Sequence, residues 1–136
     1  MRDNIWLKDR LGQLWNRHFP DIDVANTVIV RFGRPAKTRL GSIKFGRRTV
    51  DPNTYITITG YFRSDDVPDF VVDAVLAHEL SHYAHGFFSP HERLHTHPHK
   101  YGIVNNELTQ RGLGDILKLQ KRWLKQHWRE FVSRYA

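Results

Sequence analysis

Residues 67–85 are the segment that most constrains the fold, because apolar side chains cover nearly the whole circumference of the helix that they predict. Pro68 suits the first turn of that helix, Asp66 can cap it, and Gly86 suits the position just after its end. The apolar residues of the segment are Phe70, Val71, Val72, Ala74, Val75, Leu76, Ala77, Leu80 and Ala84. A helix that is apolar on nearly all sides is buried, so we expect this one to lie in the core.

The same helix carries the run His78-Glu79-Leu80-Ser81-His82, which is an HExxH motif. Residues four apart on an α-helix lie roughly 40° apart around its axis and about 6 Å apart along it, so both imidazoles can reach one metal ion. Glu79 projects about 100° round from His78, where it can polarise a metal-bound water without being a ligand. These groups would be costly in a buried helix unless a metal, or hydrogen bonds between core side chains, satisfied them. We therefore expect His78 and His82 to bind one Zn2+ per chain and Glu79 to be the general base of a hydrolase.

A catalytic zinc usually has three protein ligands, and the chain contains no cysteine, so the third ligand must be His, Asp or Glu. The candidates lie after the predicted helix over residues 67–85, which we call the metal helix, and they are His97, His99 and Glu107. Pro98 disfavours the αR conformation at His97, and a side chain in that extended position can point back towards the metal helix. Glu107 suits the carboxylate ligand of a gluzincin-type peptidase, although it can also pair with Arg111 at i,i+4.

The remaining segments predict one α+β domain over residues 1–136. An amphipathic helix over residues 4–19, capped by Asp3, precedes three strand patterns, from which we expect a small antiparallel three-stranded sheet. Two further helices are expected after the metal helix. The three strand segments are 24–34, 39–48 and 55–62, and the two later helices are 98–111 and about 115–136.

The last predicted helix carries a stripe of basic side chains, and the chain as a whole has a net charge of +7 and a sequence pI near 10.0. A solvated helix face would explain the stripe, but such a row can also follow a phosphate backbone. In that case we expect weak, sequence-independent and salt-dependent binding to DNA or RNA. The basic stripe consists of Lys118, Lys121, Arg122, Lys125 and Arg129.

The N-terminal residues MRDNIWLKDR contain no apolar signal region, and no apolar stretch approaches the length of a membrane span. We therefore expect a cytoplasmic protein without a membrane partner.

The chain resembles the SprT-like zinc metallopeptidases over most of residues 11–101. The similar segments are LWNRHFP, TRLGSI, YITIT, AVLAHELSHYA and HPHKY. In that family a third zinc histidine begins an HGxxF or HGxxW signature, and the run 97–101 is similar to it in frame, with proline and tyrosine in place of the glycine and the last aromatic residue. The resemblance implies a zincin-like metallopeptidase domain that hydrolyses peptide bonds, with His97 as third ligand and DNA-associated proteins as candidate substrates.

Two other classes of function remain open. A basic nucleic-acid-binding module could hold a structural zinc, whose site would be closed by four protein ligands, and spare histidines at positions 95, 97 and 99 could supply them. A zinc hydrolase could also act on substrates other than peptides. The coordination shell separates these classes, because a catalytic site keeps one position open.

Overall fold

The computed structural model describes residues 1–47, 49–50 and 52–135 and has the α+β architecture that the sequence predicts. Arg48 and Ala136, which end the predicted second strand and the predicted last helix, lie outside the described residues. The elements are, in order, α1 (Asn4–His18), β1 (Val28–Phe32), β2 (Gly41–Phe45), β3 (Thr54–Ile58), a 3-10 turn (Gly60–Arg63), α2 (Asp69–Ala84), α3 (Ile103–Gln110), α4 (Gly114–Trp123), a π-helical turn (Leu124–Trp128) and α5 (Arg129–Tyr135). None of the described helices is both long enough and apolar enough to cross a membrane.

The sheet has three strands, as predicted, but it is mixed and not antiparallel. Its order is β1-β3-β2, with β3 parallel to β1 and antiparallel to β2. Ile56 in the central strand pairs with Val30 on one side and with Ile43 on the other, and all three side chains are buried. Alternation of apolar and polar residues predicts each strand but carries no information on which strand is its neighbour.

The connection between β1 and β2 explains the mixed sheet, because it crosses the end of β3. The hydroxyl group of Thr59 accepts a hydrogen bond from the Ala36 N–H (2.8 Å) and donates one to the Ala36 carbonyl (2.9 Å). The Gly60 N–H donates to the Arg34 carbonyl at 3.2 Å, and the Thr59 N–H donates to the Leu40 carbonyl at 2.8 Å. The chain therefore passes over β3 before β2 begins, and β2 pairs on the far side.

Helix α2 is buried, as its apolar circumference predicts. Thirteen of its sixteen residues are buried. The predicted cap by Asp66 is absent, because the helix begins only at Asp69 and Pro68 takes the cap position. The Asp66 carboxylate instead accepts a hydrogen bond from the Tyr135 hydroxyl (2.6 Å). Gly86, with φ +78°, lies just after its end, as predicted.

The segment before α2 is held by Arg2, a buried cation with 6% of its surface exposed. Its guanidinium donates to the carbonyl oxygens of Phe62 (3.0 Å), Ser64 (2.8 Å) and Val67 (2.6 Å). It also forms a 2.6 Å ion pair with Asp69 in the first turn of α2. These bonds connect the N-terminal residues of the chain to the 3-10 turn, to the segment after it and to the first turn of α2.

The helices after α2 differ from the prediction at their boundaries. The expected helix from residue 98 begins only at Ile103, because Tyr101 (φ 62°) and Gly102 (φ 65°) have left-handed backbone conformations that a helix cannot include. The predicted last helix is present from Gly114 to Tyr135, but it contains the π-helical turn, and the indole N–H of Trp128 within that turn donates to the Lys37 carbonyl at 2.8 Å.

Candidate metal centre

Three histidines converge beside α2. His78 and His82 lie one turn apart on that helix, and His99 comes from the segment between α2 and α3. One ring nitrogen of each lies within 4.8 Å of the others. The Nε2 atoms of His78 and His82 are 3.1 Å apart, close to the spacing of about 3.4 Å expected for two nitrogens bound tetrahedrally to one zinc at about 2.0–2.1 Å. These three residues could hold a metal ion.

The chain returns to this group because it reverses direction at Gly86. A Cβ atom at Gly86 would lie 2.3 Å from the Glu92 carbonyl oxygen, so a residue without a side chain is needed there. The Phe87 N–H then donates to the His82 carbonyl at 2.9 Å, and the Phe87 ring lies 5.4 Å from the His82 ring and 5.7 Å from the His99 ring. Phe87 therefore forms an apolar wall against two of the three imidazoles.

His99, and not the predicted His97, lies beside His78 and His82. The prediction placed His97 in an extended position just before a helix that begins at Pro98. Instead the His97 carbonyl accepts a hydrogen bond from the Lys100 N–H (3.1 Å), so residues 97–100 form a turn, and the His97 side chain is exposed. The His99 ring lies 4.6 Å from the His82 ring. Both side chains are exposed, but the turn places the ring of His99, two positions further along the chain, beside His82.

The protonation states of His78 and His82 suit metal binding. Burial lowers the pKa of His82 to about 3, and the neighbouring histidines add to the effect. Burial also lowers the pKa of His78, again with help from His99. Both rings are therefore neutral at neutral pH, with nitrogen lone pairs free for coordination.

The donor set fits a zinc ion. His82 Nδ1 is buried and has no hydrogen-bond partner among the described residues. On the other side of the ring, His82 Nε2 lies 3.1 Å from His78 Nε2, where one ring can donate a hydrogen bond to the other or both nitrogens can bind one cation. Three imidazoles around one point are a common ligand set for zinc, and they leave a fourth position free.

Glu79 lies next to this group and is buried, with 4% of its surface exposed. Burial raises the pKa of its carboxyl from 4.5 to about 7, and the positive charge of Arg39 opposes the shift only in part. A carboxyl group that titrates near neutral pH can both take up and release a proton.

Gly41 in β2 allows the sheet to approach Glu79 closely. A Cβ atom at this position would lie 2.6 Å from Val75 Cγ1 and 3.2 Å from Glu79 Oε1. Gly41 interrupts the apolar and polar pattern of the predicted strand over residues 39–48. An isolated glycine inside a strand pattern also indicates close approach of another group, and that is the signal that could have identified it.

A cleft of about 280 Å³ opens beside His78 and Glu79. Its walls come from the segment around β2, from α3 and from α4, and they include Arg39, Asn105 and Gln120. These three residues belong to segments far apart in the chain and form no motif, so the sequence gives no signal that they share one cleft.

Glu107 lies outside the group of three histidines. Its carboxylate pairs with Arg111 at 3.2 Å, which confirms the predicted i,i+4 pairing, and lies 3.4 Å from His85 Nε2. Arg111 is held in turn by a bidentate ion pair with Asp21. This network links α3 to the end of α2 and to the segment after α1.

All five residues of the basic stripe are exposed. None of them forms an ion pair with another residue in the part of the chain that the structure describes. They lie on α4, the π-helical turn and α5. The charge of the stripe is therefore available to an external partner.

Compared with protein-family models, curated proteins and solved structures, the chain matches none. Its function therefore has to be argued from the geometry of the site.

Proposed function

We propose that this protein is a zincin-like, zinc-dependent metallopeptidase. The observation that carries the proposal is that Glu79, a buried carboxyl group, lines a cleft together with His78, which is one of three converging imidazoles. Three protein donors support an open catalytic site in preference to a structural one, which is closed by four. The resemblance to SprT-like metallopeptidases in the HExxH segment agrees with this function.

In this proposal His78, His82 and His99 are the zinc ligands. A zinc ion held there supplies Lewis-acid chemistry, which acidifies water and polarises the carbonyl group of a peptide bond. Burial lowers the pKa values of His78 and His82, so no proton has to be displaced from these two rings before they bind the metal at neutral pH.

Glu79 acts as the general base. Its carboxylate takes a proton from the attacking water, and its carboxylic acid passes that proton to the leaving amine. Burial raises the pKa of Glu79 to about 7 in the metal-free protein, and a bound cation would favour the carboxylate, which is the form that takes up the proton. The close approach of β2 at Gly41 limits the space around the carboxyl group.

The proposed substrate is a protein or peptide that lies extended along β2. This strand is at the edge of the sheet, and Gly41 at its start lines the cleft. Backbone groups at a sheet edge can pair with the main chain of an added strand. Following the resemblance, proteins associated with DNA are the substrate class that we propose to test first.

The test is to measure zinc content and peptide hydrolysis on the same preparations, purified without a chelator or a metal-affinity tag. His78→Ala and His99→Ala should lose the metal, whereas His97→Ala, the matched control in the same turn, should retain it. Glu79→Gln should retain zinc and lose hydrolysis by about two orders of magnitude or more. Absence of a transition metal from the unmutated protein, or equal activity of Glu79→Gln, would contradict the proposal.

A second candidate function is nucleic-acid binding, favoured by the five exposed cations of the basic stripe. In this alternative the zinc is structural and the stripe follows a phosphate backbone without reading the bases. A coordination shell closed by a fourth protein ligand, together with oligonucleotide binding and no hydrolysis, would favour it over the peptidase.

A further inference from the structure

A groove of about 730 Å³ lies along α3 and α4 and adjoins the cleft beside His78 and Glu79, which we call the metal cleft. Three residues, Asn105, Leu117 and Gln120, line both the groove and the cleft. The two spaces therefore meet at these side chains. A chain bound with one bond beside His78 and Glu79 could pass directly into the groove.

The groove carries positive charge. Lys118 and Lys121 line it, and both also line a neighbouring depression of about 530 Å³ together with Arg122 and Lys125. Among the described residues that line the groove, Asp115 is the single acid. The cations on this side of α4 therefore outnumber the acids. None of these four lysine and arginine side chains forms an ion pair with a described residue.

The lining also contains leucines, which help to distinguish between two kinds of anionic ligand. Leu117 and Leu124 are partly buried and line the groove beside the two lysines. Apolar surface flanked by cations fits a peptide, which can place one side chain on the leucines and the next on a lysine. A phosphate backbone would use the lysines but gain nothing from the leucines. The direct connection to the metal cleft likewise favours a peptide.

We propose that the part of the substrate on one side of the scissile bond lies in this groove, and that the protein prefers acidic residues there. This inference rests on the proposed peptidase function and adds a substrate class to it. The preference arises because Lys118 and Lys121 attract the carboxylates of the bound segment, and it weakens with rising salt because both lysines are exposed.

The test uses pairs of peptides that differ only in charge. One member of each pair has Asp and Glu on one side of the cleaved bond, and the other has Asn and Gln at the same positions. Separate pairs place these residues before and after the cleaved bond. At low ionic strength the unmutated protein should have a kcat/KM about 3- to 10-fold higher for the acidic member, as expected for a few solvent-exposed ion pairs. Lys118→Glu/Lys121→Glu should abolish or reverse this ratio. The control, Lys8→Glu/Arg17→Glu, makes the same change in net charge at exposed positions outside the groove and outside the basic stripe and should preserve it.

Binding of the same peptides to zinc-loaded Glu79→Gln protein, measured by fluorescence anisotropy, separates the groove from the chemistry. Tighter binding of the acidic peptide that depends on the two lysines supports the inference. If the unmutated protein binds in this way but hydrolyses neither peptide, the peptidase alone is rejected. Hydrolysis with equal rates for both peptides would overturn the inference and leave the peptidase intact. Lysine-dependent binding of a single-stranded oligonucleotide without any preference for acidic peptides would overturn it in favour of nucleic acid.

Discussion

Replacing Glu79 with glutamine should stabilise the metal-free protein at neutral and alkaline pH, although the same change abolishes the proposed catalysis. Burial raises the pKa of the Glu79 carboxyl from 4.5 to about 7. A group whose pKa is higher in the folded than in the unfolded state contributes stability that is fully present below its unfolded pKa. That stability is lost as the pH rises through the folded pKa. The glutamine side chain of the variant has no charge to bury at any pH.

The size of the effect follows from the two pKa values of Glu79. A change from 4.5 to about 7 corresponds to about 3 kcal/mol of unfolding free energy, lost between those two pH values. His78 and His82 act in the opposite direction, because burial lowers their pKa values and stability then falls as the pH drops below 6.5. Both proteins contain these histidines, so their contribution cancels to a first approximation in the difference between parent and variant.

The assay is urea denaturation of parent and Glu79→Gln in the presence of a chelator, at pH values from about 4.5 to about 8. The difference in unfolding free energy should shift in favour of the variant as the pH rises and should level off above the folded pKa. Adding zinc should reduce this pH dependence, because a nearby cation favours the carboxylate. A difference that does not change with pH, or that shifts in favour of the parent, would refute the argument from burial.

Three further predictions concern the cleft, the anchor of α2 and the basic stripe. Gly41→Ala should lower kcat/KM by about tenfold or more while zinc is retained, because the new methyl group would lie 3.2 Å from Glu79 Oε1; Gly12→Ala, which faces open space, is the control, and equal kinetics for the two variants would contradict the prediction. Arg2→Met should lower the unfolding free energy by about 2–4 kcal/mol, because buried carbonyl oxygens lose their donor. A loss in urea denaturation no greater than that of Lys8→Met would disprove this. If the stripe binds nucleic acid, reversing three of its charges should flatten the dependence of oligonucleotide affinity on salt without changing zinc content, and an unchanged slope would leave the stripe as ordinary surface. The three positions are Lys121, Lys125 and Arg129.

Sequence alone predicts those parts of the fold that depend on local patterns. The apolar circumference of α2 predicts its burial, and Asp3 caps α1 as expected by accepting a hydrogen bond from the Trp6 N–H at 2.9 Å. The three strands follow from alternation. The direction of β1 relative to β3 depends on the loop that Thr59 holds through Ala36, a contact between residues that no local pattern connects.

Sequence likewise predicts only those parts of the candidate site that depend on local patterns. His78, Glu79 and His82 follow from a spacing within one helix, whereas the third imidazole depends on the turn over residues 97–100. Local sequence did not distinguish that turn from the start of a helix, because Pro98 suits both. The left-handed conformation of Tyr101, which delays α3, is one that a residue with a bulky side chain rarely adopts, and it gives no sequence signal.

The sheet order has a consequence for how the chain acquires its native structure. β3 is the last strand in sequence but the central one in space, so β1 has no partner until β2 and β3 have both been synthesised. The β2–β3 hairpin joins neighbouring segments and can form early, whereas the parallel pairing of β1 with β3 closes a longer loop and should form more slowly. The third histidine lies later still, between α2 and α3. In the proposed zinc protein, the third ligand is therefore synthesised only after all the segments that build the sheet.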